Sequence, residues 1–306
     1  MSLSEDLRNE LAAIAPAHQC DRLAELSGLF HSAGSVHLKG RGEVAVHVDV
    51  AASAVARRAF ALLRGFGVSS EIRTYPRRAF DRGTRYQLHV AGDEHALQVL
   101  HEAGVLSLRL TPIPNPPRRV VAKSCCRGAY LRGALLGGGS LSGPRAPHLE
   151  IRTAEPEGAV FVARVAALEG VELRVIERAR HAIAYAKAAD TIADVLALAG
   201  AGRTVLLFEE NAVMAATRSR ANRLANADHA NLVRTSRAAH EQLRAIERLR
   251  QRGVFAKLPP RLQEIGLLRE RHPTFSLREL ALTCDPPATK AAVHRRLLKL
   301  QQIASN

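Results

Sequence analysis

The sequence predicts an α+β fold, in which an αββαββα unit occurs twice and an all-α domain follows. Two segments carry the duplication. Residues 22–38 and 129–143 both run from an apolar helical pattern, through a glycine and a serine, into a strand-like pattern. The glycines of these pairs, Gly34 and Gly139, lie 105 residues apart. Beyond residue 255, short helical patterns interrupted by prolines predict the all-α domain. An internal repeat of this length determines the architecture before any shorter motif is considered.

The first unit is built from alternating helical and strand patterns. Residues 20–33 have an apolar helical period, and residues 43–50 alternate apolar and polar side chains, as a half-buried strand does. A glycine-rich turn at residues 39–42 joins that strand to the preceding one and makes a hairpin. The predicted elements are a helix at 20–33, strands at 35–38 and 43–50, a helix at 54–64, strands at 70–75 and 84–90, and a helix at 94–103.

The second unit repeats this order after a linker. Four prolines within residues 111–117 predict an extended, semi-rigid spacer. The second set of elements is a helix at 123–136, strands at 140–142 and 148–153, a helix at 156–168, strands at 172–177 and 182–186, and a helix at 189–198. Because the same seven elements recur, we expect two halves, at residues 1–112 and 113–200.

A helical connector at residues 201–254, with helix from 208 to 252, precedes the C-terminal domain at 255–306. Asn222, Asn226 and Asn231 lie inside this helix, although asparagine side chains compete for backbone hydrogen bonds there. A polar seam between domains, a phosphate contact or a break in the helix would each explain them. The candidate secondary contacts to DNA or to another domain are Arg218, Arg220, Asn222, Arg223, Asn226, Asn231 and Arg234.

The charge distribution favours a polyanionic partner. The formal net charge is +15, and residues 201–306 hold 19 basic and 9 acidic side chains, a net of +10. A basic C-terminal third indicates nucleic acid most simply, although an arginine-rich composition alone would explain part of the excess. Aromatic residues make up only 4% of the chain and tryptophan is absent. Single-strand binding by base stacking is therefore disfavoured, and we expect double-stranded DNA as the partner.

The composition also disfavours other classes of protein. No apolar run approaches the ~20 residues that span a bilayer, and the acidic N-terminal stretch lacks the basic region of a signal peptide. The four cysteines include no C-x-x-C pair, and adjacent cysteines are poorly spaced for a metal. We expect a reduced, cytoplasmic protein that binds no metal or cofactor and no membrane. The cysteines are Cys20, Cys125, Cys126 and Cys284.

A helix-turn-helix is predicted at residues 273–303. Ser276 and Glu279 fit a capping box, in which the serine hydroxyl accepts a bond from a backbone N–H and the glutamate bonds back. Two prolines at 286 and 287 end that short helix, and a second helix starts near Thr289. A short capped helix, a tight turn and a basic second helix are typical of this DNA-binding motif.

The second helix, residues 289–301, is the predicted recognition helix for the major groove. Val293, Leu297 and Leu300 recur at helical spacing and predict its buried side, so Arg295 and Lys299 point away from the core. Such side chains can read guanine edges or hold phosphates; an ordinary helical hairpin with a basic face is the alternative. The candidate DNA-binding residues are Ser276, Thr289, Lys290, His294, Arg295, Arg296 and Lys299.

The duplicated helices, at 23–35 and 131–140, resemble the LAGLIDADG helices of homing endonucleases. An active nuclease of that class has an acidic residue just before each glycine, but here those positions hold Ala33 and Gly138. Metal-assisted phosphodiester cleavage needs carboxylates that hold divalent cations. The nearest acid on the first helix, Glu25, lies about two turns back. We expect a LAGLIDADG-like fold that is not an enzyme, with Ala33 and Gly138 at the lost catalytic-acid positions.

Further motifs extend the resemblance over nearly the whole chain. They are N-R-L-A-N-x-x-x-A-N-x-x-R-T from residue 222, Leu258-Pro259, S-L-x-E-L from residue 276 and P-P-x-T-K-x-x-V from residue 286. Together they resemble the WhiA family of bacterial regulators. That resemblance implies a degenerate LAGLIDADG-like domain with a C-terminal helix-turn-helix.

The same resemblance implies regulation of sporulation and cell-division genes, and cooperation with a small iron–sulfur Wbl-type protein and with RNA polymerase. We therefore expect a sequence-specific transcriptional regulator that binds promoters on the nucleoid. The alternative is a chromosome-associated architectural DNA-binding protein involved in division or segregation. Such a protein would bind DNA without promoter specificity.

Overall fold

The computed structural model describes residues 2–38, 44–76, 83–143, 146–179 and 181–305. The chain forms two compact units, Met1–Ala216 and Thr217–Asn306. The first unit holds both copies of the repeat, and the second is helical. The turn predicted at residues 39–42 lies outside the described residues.

The first copy of the repeat forms a four-stranded antiparallel sheet in the order β1-β2-β4-β3. Val46, Val48 and Val50 on its second strand are buried, as the alternating pattern predicted. The elements are α1 (Leu3–Ala13), which precedes the repeat, then α2 (Gln19–Ala33), β1 (Gly34–Leu38), β2 (Val44–Val50), α3 (Ser53–Gly65), β3 (Ser70–Pro76), β4 (Thr84–Val90) and α4 (Glu94–Glu102).

The second copy has the same topology, with the antiparallel strand order β5-β6-β8-β7. Its elements are α5 (Ser124–Gly138), β5 (Gly139–Ser142), β6 (His148–Thr153), α6 (Pro156–Ala167), β7 (Arg174–Arg178), β8 (His181–Ala186) and α7 (Ala189–Ala199). Because both the order of elements and the strand pairing recur, the predicted duplication is confirmed.

The helices α2 and α5 are the structural centre of the duplication, and their backbones touch. A Cβ atom added at Gly28 would lie 2.1 Å from the carbonyl oxygen of Tyr130. One added at Gly133 would lie 2.0 Å from the carbonyl oxygen of Glu25. Only glycine leaves room for such an approach, because any other residue carries a Cβ.

The proline-rich segment is docked onto the first unit, whereas the sequence predicted an extended spacer. The N–H of Ile113 donates to the carbonyl of Val105 at 3.0 Å, and the carbonyl of Ile113 lies 3.1 Å from Nε2 of His31. Pro116 is buried and packs closely against Gly104. Burial of the Pro116 ring and these two backbone contacts hold the segment against the unit, although Pro112 and Pro114 are exposed.

A long helix, α8 (Gly202–Gln251), follows the repeat. It begins six residues before the predicted start at 208, because Glu10 of α1 caps its first turn. The two carboxylate oxygens of Glu10 accept bonds from the N–H groups of Arg203 and Thr204, each at 2.7 Å. The helix is continuous through Asn222, Asn226 and Asn231, so the possible break at these asparagines is wrong.

The second unit packs α9 (Pro260–Arg271), α10 (Leu277–Thr283) and α11 (Lys290–Ser305) with the C-terminal turns of α8. These helices confirm the predicted all-α domain, and α9 precedes the helix-turn-helix. The core residues are Ala245, Ile246, Leu249, Phe255, Ile265, Leu280, Ala281, Cys284, Val293, Leu297, Leu300 and Ala304.

Candidate nucleic-acid interface

The first helix of the motif, α10, starts at the predicted capping box. The hydroxyl of Ser276 accepts from the N–H of Glu279 at 3.3 Å, and the N–H of Ser276 donates to Oε2 of Glu279 at 2.7 Å. Hydrogen bonds from Ser276 lower the pKa of the Glu279 carboxyl, so Glu279 is ionised at neutral pH and the box is intact.

The second helix, α11, has the two faces that its sequence predicted. Val293, Leu297 and Leu300 are each no more than 1% exposed, and they pack in the core of the second unit. At its start, the hydroxyl of Thr289 accepts from the N–H of Ala292 at 3.2 Å, so Thr289 is the N-cap. The buried stripe therefore fixes which side of α11 faces solvent.

The solvent side of α11 carries positive charge and no carboxylate. Lys290, Arg295 and Lys299 are exposed, as is His294. Within the described ranges, no carboxylate pairs with these three cations. The sequence after Asp285 contains no acidic residue at all. Because unpaired exposed cations retain their full charge toward an approaching anion, this side of α11 can hold phosphates or guanine edges.

Arg296 differs from the other predicted contacts on α11. Its side chain is only 18% exposed, and its Nη1 lies 3.9 Å from Oε2 of Glu264 on α9. Glu264 also accepts a 2.7 Å bond from the N–H of Asp285 in the turn before α11. Arg296 thus helps to attach α11 to α9, and less of its charge faces solvent.

A buried arginine that the sequence pattern does not reveal fixes the segment before α10. Arg269 is 2% exposed, and its Nε donates to the side-chain oxygen of Gln242 at 2.9 Å. Its Nη1 donates to the carbonyl of Phe275 at 2.6 Å. Nothing in the sequence distinguishes Arg269 from the many surface arginines, because its partners are backbone carbonyls and a distant glutamine.

The middle of α8 presents the predicted secondary contacts on an exposed surface. All seven of those arginine and asparagine side chains are exposed. Nη2 of Arg234 donates to Oδ1 of Asn231 at 2.5 Å, one helical turn away. These residues therefore lie on one exposed helical segment, although not all on one face: Arg218, Arg220, Asn222, Arg223, Asn226, Asn231 and Arg234.

The two positions predicted to have lost a catalytic acid end the paired helices. Ala33 is the last residue of α2 and Gly138 is the last residue of α5. A Cβ at Gly138 would lie 2.2 Å from the carbonyl oxygen of Arg152 on β6. The strand backbone thus occupies the space that an acidic side chain at this position would need.

Three acids of the two copies, Glu25, Asp49 and Glu150, each contact a basic side chain. Glu25 is fully buried, and its carboxylate accepts bonds of 2.6 and 2.9 Å from Arg58 and one of 2.9 Å from Arg132. Asp49 accepts from Arg85 at 2.8 Å, and Glu150 lies 2.7 Å from Nε2 of His148. Carboxylates in such pairs are poor ligands for a divalent cation, because binding the metal would leave the buried or bound arginines unpaired.

In the described part of the chain, no helix combines the length and apolar character needed to cross a membrane. The fold and this surface define a protein that joins a degenerate, duplicated LAGLIDADG-like domain to a helix-turn-helix domain. Family models match in the same order: the WhiA N-terminal LAGLIDADG-like domain at residues 19–106, the WhiA LAGLIDADG-like domain at 127–218 and the WhiA C-terminal HTH domain at 221–304.

A probable cell division protein WhiA from Heliobacterium modesticaldum is 34% identical over 306 residues, which cover 99% of this chain and 96% of that protein. The protein of the same name from Desulforudis audaxviator is 36% identical, with coverage of 100% and 97%. The chain belongs to the WhiA family. The crystal structure of full-length WhiA from Thermotoga maritima shares the fold, with a TM-score of 0.58, 22% identity, and coverage of 100% of this chain and 98% of that chain.

Proposed function

We propose that this protein is a sequence-specific, DNA-binding transcriptional regulator of sporulation and cell-division genes, and that it has no nuclease activity. The observation that carries the proposal is the solvent side of α11, where exposed cations lie on a helix whose other side is buried. The match of residues 221–304 to the WhiA HTH domain supports this assignment, and the relatives' name supports a role in division.

The proposed contacts divide into two groups. On the helix-turn-helix they are Ser276, Thr289, Lys290, His294, Arg295, Arg296 and Lys299. We propose Arg295 and Lys299 as the principal ones, because Ser276 and Thr289 cap helices and Arg296 faces Glu264. The exposed residues of α8 from Arg218 to Arg234 form the second group.

The proposed partner is promoter DNA in the cytoplasm, at the nucleoid. Resemblance to the family supports a small iron–sulfur Wbl-type protein and RNA polymerase as further partners. We propose that the chain has four functional parts. They are two halves at 1–112 and 113–200, a connector at 201–254 and a helix-turn-helix domain at 255–306. The helix-turn-helix domain reads DNA, and the two halves bind either DNA or a protein partner.

The principal contacts are tested with the double variant Arg295→Ala/Lys299→Ala. We expect promoter binding to weaken by about 1–3 kcal/mol for each side chain that reads a base, and by less for a side chain that holds a phosphate. The slope of log K against log salt should fall by about 2, because two cations no longer displace counterions from DNA. Gel shift or fluorescence anisotropy over a series of salt concentrations measures both quantities.

The matched control is Arg252→Ala/Lys257→Ala, which removes two exposed cations of the same unit outside α10 and α11. It lowers the net charge equally and should leave most of the affinity intact. Equal affinity of the α11 variant and the unmodified chain at moderate salt would contradict the assignment of α11.

Selection from a library of random DNA duplexes, with chromatin immunoprecipitation in the host, separates a regulator from an architectural protein. A regulator should enrich one motif, with discrete occupancy peaks at division-gene promoters. Enrichment of no motif, with diffuse occupancy along the chromosome, would favour the architectural alternative.

A further inference from the structure

Three cysteines and one aspartate converge at the N-terminal ends of α2 and α5, which sequence spacing alone did not indicate. Their ligand atoms all lie within 4.8 Å of one another. We call this group the thiol cluster; it consists of Cys20, Asp21, Cys125 and Cys126.

The cluster follows the internal duplication. Cys20 and Cys125 are the second residues of their helices, and Asp21 and Cys126 are the third. Each pair is separated by 105 residues, the same spacing as Gly34 and Gly139. Cys20 and Asp21 on α2 therefore correspond to Cys125 and Cys126 on α5. The packing of the two helices against each other brings the four side chains together.

The distances suit one tetrahedral ion. Sγ of Cys125 lies 3.9 Å from Sγ of Cys126, and Sγ of Cys20 lies 3.6 Å from Oδ1 of Asp21. Four ligands about 2.3 Å from a tetrahedral zinc ion lie about 3.8 Å from one another. Because all four atoms fall within 4.8 Å, the space between them holds a single ion and no larger metal cluster.

The chemistry of the ligands favours zinc. Three sulfur atoms are soft ligands that magnesium and calcium avoid, whereas zinc accepts sulfur together with a carboxylate oxygen. The positive ends of two helix dipoles meet here and offset the negative charge of the ionised ligands. Cys126 is buried and Cys125 is exposed, so the cluster is enclosed on one side and has an entry path on the other.

We propose that the thiol cluster binds one Zn²⁺ ion, which cross-links the two halves of the repeat through α2 and α5. Binding releases the protons of the thiols to solvent as the thiolates coordinate the metal, and no oxidation occurs. The ion adds a link at the N-terminal ends of two helices whose backbones already touch at Gly28 and Gly133. All four ligands belong to the first unit, and none of them is a proposed DNA contact.

The test uses the full-length chain, stripped with a chelator under reducing conditions, loaded with zinc sulfate and freed of excess metal by gel filtration. Mass spectrometry of the metal content should find one zinc per chain. The apo form should melt at a lower temperature than the zinc form, since a ligand that binds only the folded state stabilises it. Loading with Co²⁺ should produce the thiolate-to-metal charge-transfer absorption of a tetrahedral site.

The variant Cys20→Ser/Cys125→Ser should lose the zinc and the cobalt absorption. Cys284→Ser is the matched control, because Cys284 lies in the other unit, where its thiol donates to the carbonyl of Leu280 at 3.3 Å. That variant should keep one zinc per chain. Asp21→Cys should also keep the metal, with thiolate absorption stronger than in the unmodified chain, which separates loss of a ligand from loss of the fold.

Three results would overturn the proposal. One is a reduced, folded chain that takes up no zinc. Another is a Cys20→Ser/Cys125→Ser variant that keeps it. The third is a stable disulfide among Cys20, Cys125 and Cys126 in the purified chain. Such a disulfide would survive mild reduction, and the chain would take up no metal.

Discussion

At Gly138, the carbonyl oxygen of Arg152 lies where a Cβ atom would project, only 2.2 Å away. An acidic side chain therefore cannot be introduced here by substitution unless β6 moves, which would disturb the sheet of the second copy. Ala33, by contrast, is partly buried against the core without such a backbone block. The two positions that appear equivalent in sequence thus differ structurally, because their surroundings in the two halves have diverged.

Glu25 is the basis of a prediction at the residue scale. Glu25→Ala leaves Arg58 and Arg132 facing each other without their shared carboxylate, and both guanidinium groups are largely buried. Removing one partner of a buried ion pair costs about 3–5 kcal/mol, and we expect a loss of this size in the free energy of unfolding in urea. Glu71→Ala is the control: it breaks the exposed pair with Arg73 and should leave stability unchanged. A small effect at Glu25 would show that water already screens the pair.

His31 predicts a pH dependence of stability. Burial lowers its pKa below the usual 6.5, although the carbonyls of Ser27 and Ile113 partly offset this. As the pH falls through about 6.5, the unfolded chain takes up a proton that the folded chain does not, so folding loses stability. The contribution of His31 to the free energy of unfolding is therefore full above that pH and is lost as the pH falls below it.

Urea unfolding at several pH values compares the unmodified chain with His31→Gln. The variant should lose less stability on acidification than the unmodified chain does. His229→Gln, on an exposed part of α8, should behave like the unmodified chain. Parallel pH profiles for all three chains would show that His31 does not carry this dependence.

At the scale of elements, the contact between α2 and α5 leaves no room for a larger side chain at Gly28. Gly28→Ala places a methyl group 2.1 Å from the carbonyl oxygen of Tyr130, so the helices must separate. Overpacking of this kind typically costs about 1–3 kcal/mol, and we expect at least that loss in urea unfolding. Gly202→Ala, where no atom lies within 4 Å of the added Cβ, is the control. Equal stability of both variants would show that the pair tolerates a wider spacing.

The sequence was sufficient to predict most elements because their signals are local. Period-2 alternation in β2, the capping box at Ser276 and the apolar stripe of Val293, Leu297 and Leu300 all depend on neighbours within one element. The start of α8 and the docked proline segment were not predicted, since their partners, Glu10 and His31, are 193 and 82 residues away.

The candidate sites also divide into features with a local sequence signal and features that depend on distant residues. Which side of α11 faces solvent followed from helical spacing alone, whereas the position of Arg296 depends on Glu264 of another helix. The thiol cluster has no metal motif along the chain, because its ligands come from two separate helices. The one sequence signal for the cluster is the repeat, since Cys20 and Cys125 are 105 residues apart. That spacing indicates proximity only once α2 is known to pack on α5.

At the scale of the whole molecule, the residues that precede Gly34 and Gly139 are Ala33 and Gly138, so neither helix carries an acid at the position where an active LAGLIDADG nuclease has one. We expect supercoiled plasmid to remain intact when incubated with the protein and Mg²⁺ or Mn²⁺, while the same preparation binds DNA. Agarose gels measure nicking, and a commercial nickase checks that the plasmid is cleavable. Nicking that disappears with a variant of Glu155, an exposed acid near His31, would contradict the proposal that this protein has no nuclease activity.

The hydrogen bonds that Glu10 accepts from the first turn of α8 have a practical consequence for truncation. The first family match starts at residue 19, so a fragment cut there would lack α1 and with it this carboxylate. The N–H groups of Arg203 and Thr204 would then have to find water in place of Glu10, and the first turn should fray. Since α8 continues from this turn to Gln251, deleting a short leading segment would change a helix that starts almost two hundred residues later.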